Sequence, residues 1–162
     1  NATLKGLEID SRWNMASAGL ADITLTGNLT LLDGEIIDKT TGRKIPFKEQ
    51  PDYVYNLGFD HKLTAYNTHW GLNLNNISSL SSDEIKDGKR TAKTIAGKQF
   101  LDLYIKKSFS NGYELKFSAQ NLLKAEKDTL NTSYKGDGTI DKMEQEFEQS
   151  SRMFNLTFSG RW

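Results

Sequence analysis

The stretch that decides the fold is Arg152-Met-Phe-Asn-Leu-Thr-Phe-Ser-Gly-Arg-Trp162, which alternates apolar and polar residues without a slip. A two-residue period places Phe154, Leu156, Phe158 and Trp162 on one face of a β-strand. The other face is polar. A strand with one apolar and one polar face that ends on an aromatic residue indicates an outer-membrane β-barrel, with the apolar face turned to lipid.

The same alternation recurs along the chain and predicts an all-β, antiparallel, up-and-down transmembrane barrel. Helix signals are nearly absent, apart from a short helix expected over 143–148. The seven predicted strand segments are 7–13, 21–31, 53–63, 70–75, 101–106, 113–120 and 152–162.

The connections between these segments alternate between short and long. Short turns are predicted at 14–19, 64–68 and 109–112, and long loops at 33–51, 76–98 and 123–150. Tight turns at one rim and large loops at the other match the periplasmic and extracellular ends of an outer-membrane barrel. The last strand is therefore expected to end at the periplasmic side.

Composition excludes several other classes of protein. No run of about eighteen apolar residues is present, so a transmembrane helix is not predicted. The 21 basic and 21 acidic residues balance, which gives no electrostatic footprint for nucleic acid. Cysteine is absent, and the sequence contains no catalytic constellation. We therefore predict no enzyme activity, no metal site and no cofactor.

Aromatic residues cluster where the strands meet the short turns, as expected for the girdle of a membrane barrel. Trp and Tyr gather at the level of the lipid headgroups because their rings are amphipathic. A soluble β-sandwich would instead pack such residues inside. The predicted periplasmic girdle consists of Trp13, Trp70, Phe109, Tyr113 and Trp162.

The polar faces of the same strands carry charges of both signs, which suits a hydrated lumen wall. A solvated strand face in a soluble protein would have the same pattern. The predicted lumen-facing residues are Glu8, Asp10, Arg12, Asp102, Lys106, Glu114 and Lys116. We name no ligand-binding residue, although the three long loops are where ligand contacts are expected.

Several motifs in this order resemble the C-terminal barrel portion of TonB-dependent receptors of the Gram-negative outer membrane. They are Leu-Lys-Gly-Leu-Glu-Ile-Asp at 4–10, Gly-Asn-Leu-Thr-Leu-Leu-Asp at 27–33, Gln-Pro-Asp-Tyr-Val-Tyr-Asn-Leu-Gly-Phe at 50–59, Phe-Leu-Asp-Leu-Tyr-Ile at 100–105, Ala-Gln-Asn-Leu-Leu at 119–123 and the terminal aromatic. The resemblance extends over nearly all of residues 1–162.

This resemblance implies the last seven strands of a 22-stranded barrel in the cell outer membrane. Such a receptor imports a scarce ligand, for example an iron siderophore, with energy from the TonB complex. The implied partners are the remainder of the barrel, a plug domain with no counterpart here, TonB acting through that missing N-terminal part, and lipid. Seven strands cannot close a barrel alone, because open edges in lipid leave backbone groups unsatisfied.

The terminal strand also resembles the signal by which the barrel assembly machinery recognises its clients. Phe154, Leu156, Phe158 and Trp162 would form that signal. Two other readings of the chain stay open. One is a complete small outer-membrane barrel with an eighth strand within 134–147, and the other is a soluble, lipocalin-like protein that binds a small molecule inside.

Overall fold

The computed structural model describes residues 2–39, 42–86 and 89–160 of the chain. These residues form thirteen β-strands, with 3₁₀ turns at Met15–Ala18 and Thr64–Tyr66. No helix among them has the length and apolar character needed to cross a bilayer. The strands are β1 (Ala2–Asn14), β2 (Ile23–Ile37), β3 (Lys44–Pro46), β4 (Gln50–Pro51), β5 (Tyr53–Leu63), β6 (Thr68–Ile77), β7 (Leu80–Lys86), β8 (Lys89–Ile95), β9 (Lys98–Ser108), β10 (Tyr113–Gln120), β11 (Lys127–Tyr134), β12 (Ile140–Glu148) and β13 (Met153–Gly160).

The first sheet is an antiparallel meander of seven strands in the order β1-β2-β5-β6-β9-β10-β13, with β3 added beside β2. Its seven main strands coincide with the seven segments predicted from alternation. The all-β, antiparallel class is thereby confirmed. The sheet is open, since no pairing joins β1 to β13 among the described residues.

Short connections join the strands at one end of this sheet, where they were predicted. We call this row of strand ends the short-connection edge. At the first of them, the Asn14 side chain accepts a hydrogen bond of 3.0 Å from the Ala16 backbone N–H. The turn ends at Gly19, whose φ of 78° lies in the left-handed region that favours glycine. A side-chain cap and a left-handed glycine therefore reverse the chain within a few residues.

A second sheet replaces the long loops expected at the opposite edge. Its order is β12-β11-β8-β7-β4, and each of its strands directly precedes or follows a strand of the first sheet. The helix predicted over 143–148 is wrong, because those residues lie in β12, paired with β11. The eighth strand considered within 134–147 also falls in this second sheet and does not extend the seven-stranded one.

The two sheets meet at a row of strand breaks, which we call the junction. Its elements are Asp52, residues 78–79, 96–97, 121–126 and 149–152. The Ser78 hydroxyl, which is buried, accepts hydrogen bonds from the backbone N–H groups of Asp52 (2.9 Å) and Tyr53 (3.3 Å). A Cβ on Gly97 would lie 2.8 Å from the Ile77 carbonyl oxygen, so the backbones approach too closely there for any other residue.

Residues 2–39, 42–86 and 89–160 do not enclose an apolar core. The accessible surface is 11378 Å², whereas a compact monomer of 18.3 kDa is expected to expose about 8,100 Å². Among the described residues, Ile95 and Ala119 are the buried hydrophobic side chains. A lipocalin-like protein hides its apolar residues inside a closed barrel, and this open arrangement does not match that reading.

Candidate functional site: the two faces of the first sheet

The apolar residues of the seven strands align on one face of the first sheet, which we call the apolar face. Residues that are directly opposite on neighbouring antiparallel strands share a face. One complete row of such pairs crosses the sheet as Trp13, Leu25, Phe59, Leu72, Leu103, Ala119 and Phe154. Every member is apolar, so the face is continuous from β1 to β13.

Large side chains of this face are exposed on β1, β5 and β13. Leu7 is 54% exposed, Leu57 is 52% exposed and Leu156 is 70% exposed. Monomeric soluble proteins rarely expose apolar patches of this extent, and large ones mark contacts with membrane or other protein.

The register of the sheet also gives the tilt of its strands, measured from the perpendicular to the short-connection edge. A row of direct partners starts at Asn14, the last residue of β1, and reaches Tyr104 after four strand steps. Tyr104 lies four residues before Ser108, where β9 ends at the same edge. The stagger is therefore about one residue per strand.

That stagger converts into an angle through the dimensions of a sheet. One residue advances about 3.3 Å along a strand, and one strand step covers about 4.8 Å. Their ratio corresponds to a tilt of about 35°, within the range of about 35–45° of membrane barrels.

The predicted girdle residues that the structure describes all lie at the short-connection edge. Trp13 is the last residue but one of β1 and Trp70 the third residue of β6. Both lie on the apolar face, where the Trp70 ring is 4.9 Å from that of Phe59. Tyr113 stacks on Phe158 at 5.2 Å. Phe109 lies in the last short turn, and Trp162 lies outside the described residues. Their role as a lipid girdle stays a prediction.

The predicted lumen-facing residues share the opposite face, which we call the polar face. Lys106 and Glu114 form an ion pair of 3.0 Å, and the Lys116 ammonium lies 6.0 Å from the centre of the Tyr104 ring. Asp102 accepts a hydrogen bond of 2.8 Å from the Asn121 backbone N–H at the junction. Register places Glu8, Asp10 and Arg12 on this face as well. Whether it lines a lumen stays a prediction.

The polar face also contains a ladder of amide side chains that sequence reasoning missed. Asn75 donates to Asn56 (2.6 Å), Asn56 donates to Asn28 (3.3 Å), and Asn28 donates to Asp10 (2.6 Å). A second contact of 3.4 Å joins Asn28 to Glu8. The ladder crosses four strands in one direction and ends on carboxylates, which gives that part of the face a fixed pattern of donors and acceptors.

A compact cluster of Asp60, His69 and Tyr104 lies nearer the short-connection edge on the same face. The Tyr104 hydroxyl donates to Asp60 and lies 2.9 Å from His69 Nε2. His69 Nε2 is 3.3 Å from the Asp60 carboxylate. His61 lies on the apolar face, paired with Trp70. The two histidines therefore lie on opposite faces of the sheet.

Pairs of opposite charge hold the second sheet together. Arg90 contacts Asp83 at 2.6 Å and lies 4.5 Å over the Tyr134 ring, and Lys93 pairs with Glu49 at 2.9 Å. The hydrogen bond and positive charge of Lys93 lower the pKa of Glu49. Lys127 lowers the pKa of Glu148 in the same way. Ion pairs thus connect β7 with β8, β8 with Glu49 beside β4, and β11 with β12.

The residues of the predicted assembly signal lie on β13, an edge strand of the first sheet. Phe154, Leu156 and Phe158 are all exposed on its apolar face. Trp162, the fourth member, lies outside the described residues. Recognition by the assembly machinery stays a prediction.

Comparison with known proteins yields a weak likeness over the whole chain. No protein-family model and no solved structure matches the chain. A curated protein does: the chain is 25% identical over 183 aligned residues to "Hemoglobin-haptoglobin utilization protein B" of Neisseria meningitidis serogroup C. The alignment covers 100% of this chain and 22% of that protein. The chain is thus similar to a piece of about one fifth of a much longer protein.

Proposed function

We propose that these residues form seven adjacent strands in the barrel of a TonB-dependent receptor of the Gram-negative outer membrane. The motifs along the strands support the family. The name of the related protein refers to the utilization of an iron-bearing protein, which agrees with iron uptake. We assign the chain a role in transport through a barrel and assign it no catalytic step.

The observation on which this proposal rests is the apolar face. It runs without interruption across seven antiparallel strands and has exposed large side chains on β1, β5 and β13. Its strands tilt by about 35° from the perpendicular to the short-connection edge, where the aromatic residues lie. Each of these properties is expected of the lipid-facing wall of a barrel. An ordinary soluble sheet buries its apolar face against a second layer.

The remainder of the barrel must come from chain beyond these strands. The outer edges of β1 and β13 have no partner among the described residues. In a bilayer, each unpaired backbone group would cost several kcal/mol. We propose that further strands of the same receptor pair with both edges, and that a plug domain contacts the polar face.

The ligand that we propose is a source of iron. Family resemblance alone suggested a siderophore. The name of the related protein instead favours iron taken from haemoglobin or its haptoglobin complex. The second sheet, which is rich in paired charges and lies across the junction from the short turns, is where we expect a protein ligand to bind.

Deletion of the full-length gene tests this proposal. The mutant is expected to lose growth on one of these iron sources as sole iron supply, and an intact copy of the gene is expected to restore it. The receptor should fractionate with the outer membrane and show a heat-dependent shift in electrophoretic mobility. A soluble location, or unchanged growth on every iron source, would refute the proposal.

Recognition by the barrel assembly machinery has its own test. Removal of Trp162 from the full-length receptor should lower its level in the outer membrane, while Trp13→Ala, which leaves the terminal strand intact, should not. Normal outer-membrane levels after removal of Trp162 would contradict the assigned signal.

A further inference from the structure

A cleft of about 640 Å³ lies at the junction, at the end of the apolar face. Register places the paired residues Asn76 and Gln99 on that face, just beyond the pair Leu74 and Leu101. The cleft therefore continues the apolar face towards the second sheet. Its wall includes Tyr53, Asn76, Ser79, Lys98, Gln99 and Glu126.

The side chain of Asn76 indicates that this cleft binds a ligand. Asn76 is only 8% exposed, and its Oδ1 atom is shielded from solvent without a hydrogen-bond donor anywhere in the described ranges. Buried side-chain amides almost always have partners, so an unpartnered one needs an explanation. Because the terminal torsion of asparagine is soft, a small rotation would present this oxygen to a donor in the cleft.

The other residues of the wall indicate which chemistry would supply that donor. The Tyr53 ring is exposed and stacks in parallel on Tyr55, with centroids 6.3 Å apart. Gln99 adds a second amide beside Asn76. Lys98 and Glu126 bring opposite charges that balance. A flat aromatic surface and amides suit a saccharide, whose hydroxyl groups both donate and accept hydrogen bonds.

We propose that this cleft binds the saccharide headgroup of a membrane glycolipid, whose acyl chains then lie along the apolar face past Leu74 and Leu101. Continuity of the cleft with that face favours a lipid-borne saccharide over a free one. The inference rests on the proposed membrane function, because that function turns the face to lipid.

The test uses the full-length receptor in nanodiscs of phosphatidylethanolamine and phosphatidylglycerol, with or without lipopolysaccharide. The measurement is the amount of lipopolysaccharide that stays bound after transfer to detergent, read by native mass spectrometry. Asn76→Leu should weaken retention roughly tenfold, since it removes the polar partner. Its thermal midpoint in lipopolysaccharide-free detergent should not fall, since it also removes a buried amide oxygen that has no partner among the described residues.

Asn73→Leu is the matched control, because Asn73 lies on the same strand but on the polar face, and it should retain lipopolysaccharide as the parent does. Full retention by Asn76→Leu, or no retention by the parent, would overturn the inference. If Asn76→Leu does not fold, Tyr53→Ala decides, and unchanged retention in that variant would also overturn it.

Two further outcomes separate this inference from its alternatives. Displacement of lipopolysaccharide by the deacylated saccharide at equal concentration would assign the cleft to a free saccharide and refute the lipid. A receptor that inserts in the outer membrane but retains no glycolipid would refute this inference alone. A receptor absent from the outer membrane would refute the proposed function.

Discussion

An arginine placed on the apolar face should reveal whether that face contacts lipid, and Leu72 is the position that tests this best. Leu72 lies on β6, four residues beyond Thr68 at the short-connection edge. With about 3.3 Å per residue and a tilt of about 35°, it lies about 11 Å from that edge. An apolar band about 25 Å tall has its middle at nearly this depth.

The expected cost follows from that depth. Arginine on the lipid face of a barrel destabilises by about 2–4 kcal/mol at the midplane and by about 0–1 kcal/mol near the interface. Leu72→Arg should therefore lose about 2–4 kcal/mol of unfolding free energy. Leu63→Arg, on the same face at the end of β5, should lose no more than about 1 kcal/mol.

Asn73→Arg is the control, since it places the same charge one residue away on the polar face. We expect a change within about 0.5 kcal/mol. The assay is a urea titration of the full-length receptor refolded in phospholipid vesicles, with the folded fraction read from electrophoretic mobility without heating. Equal losses at Leu72 and Leu63 would refute the depth argument, because a soluble core has no membrane midplane. A larger loss at Asn73 would show that the faces are reversed.

Three further predictions concern the junction, the second sheet and the amide ladder. Gly97→Ala should destabilise the full-length protein by about 1–3 kcal/mol in the same urea titration, because its Cβ would meet a main-chain carbonyl at 2.8 Å. Gly136→Ala is the control and should be neutral, because its Cβ would have nothing within 4 Å. Glu148 has a lowered pKa, so its pair with Lys127 stabilises the second sheet above the ordinary pKa of 4.5, and this contribution is lost as pH falls through the lowered value. Hydrogen-exchange protection factors of β11 and β12, corrected for the intrinsic exchange rate at each pH, should therefore fall in acid in the parent, and Glu148→Gln should remove this dependence. Asn56→Leu breaks two hydrogen bonds of the ladder and should cost about 1–3 kcal/mol in the urea titration, and an unchanged midpoint would show that the ladder does not contribute to stability.

The strands of the first sheet were predictable because each has apolar residues on one face and polar residues on the other. The strands of the second sheet lack that contrast. In β8, Lys-Arg-Thr-Ala-Lys-Thr-Ile at 89–95 is polar on both faces, so its alternation carries no signal. In β12, Ile140, Met143 and Phe147 follow a spacing of three and four, which is typical of a helix. A register shift beside Tyr134 accommodates this spacing in a strand.

The polar contacts were less predictable than the faces. Alternation assigns Asp10, Asn28, Asn56 and Asn75 to the polar side, but it does not say which residues lie opposite one another. That depends on the register, which the turns between strands determine. The ladder and the cluster of Asp60, His69 and Tyr104 therefore emerged only with the pairing of the strands. Asn76 was missed for a different reason. The sequence placed it in the long loop predicted at 76–98, and its burial depends on the junction.

The junction has a consequence for how the receptor can change during evolution. In a continuous strand, an insertion of one residue would shift the pairing and exchange the two faces along its whole length. Here the strands of the two sheets are separated by short breaks, and the first sheet keeps its own pairing on its side of them. An insertion or deletion in β7, β8, β11 or β12 can thus be absorbed at the breaks. The second sheet can then vary in length and sequence while the first sheet keeps its pairing and its two faces.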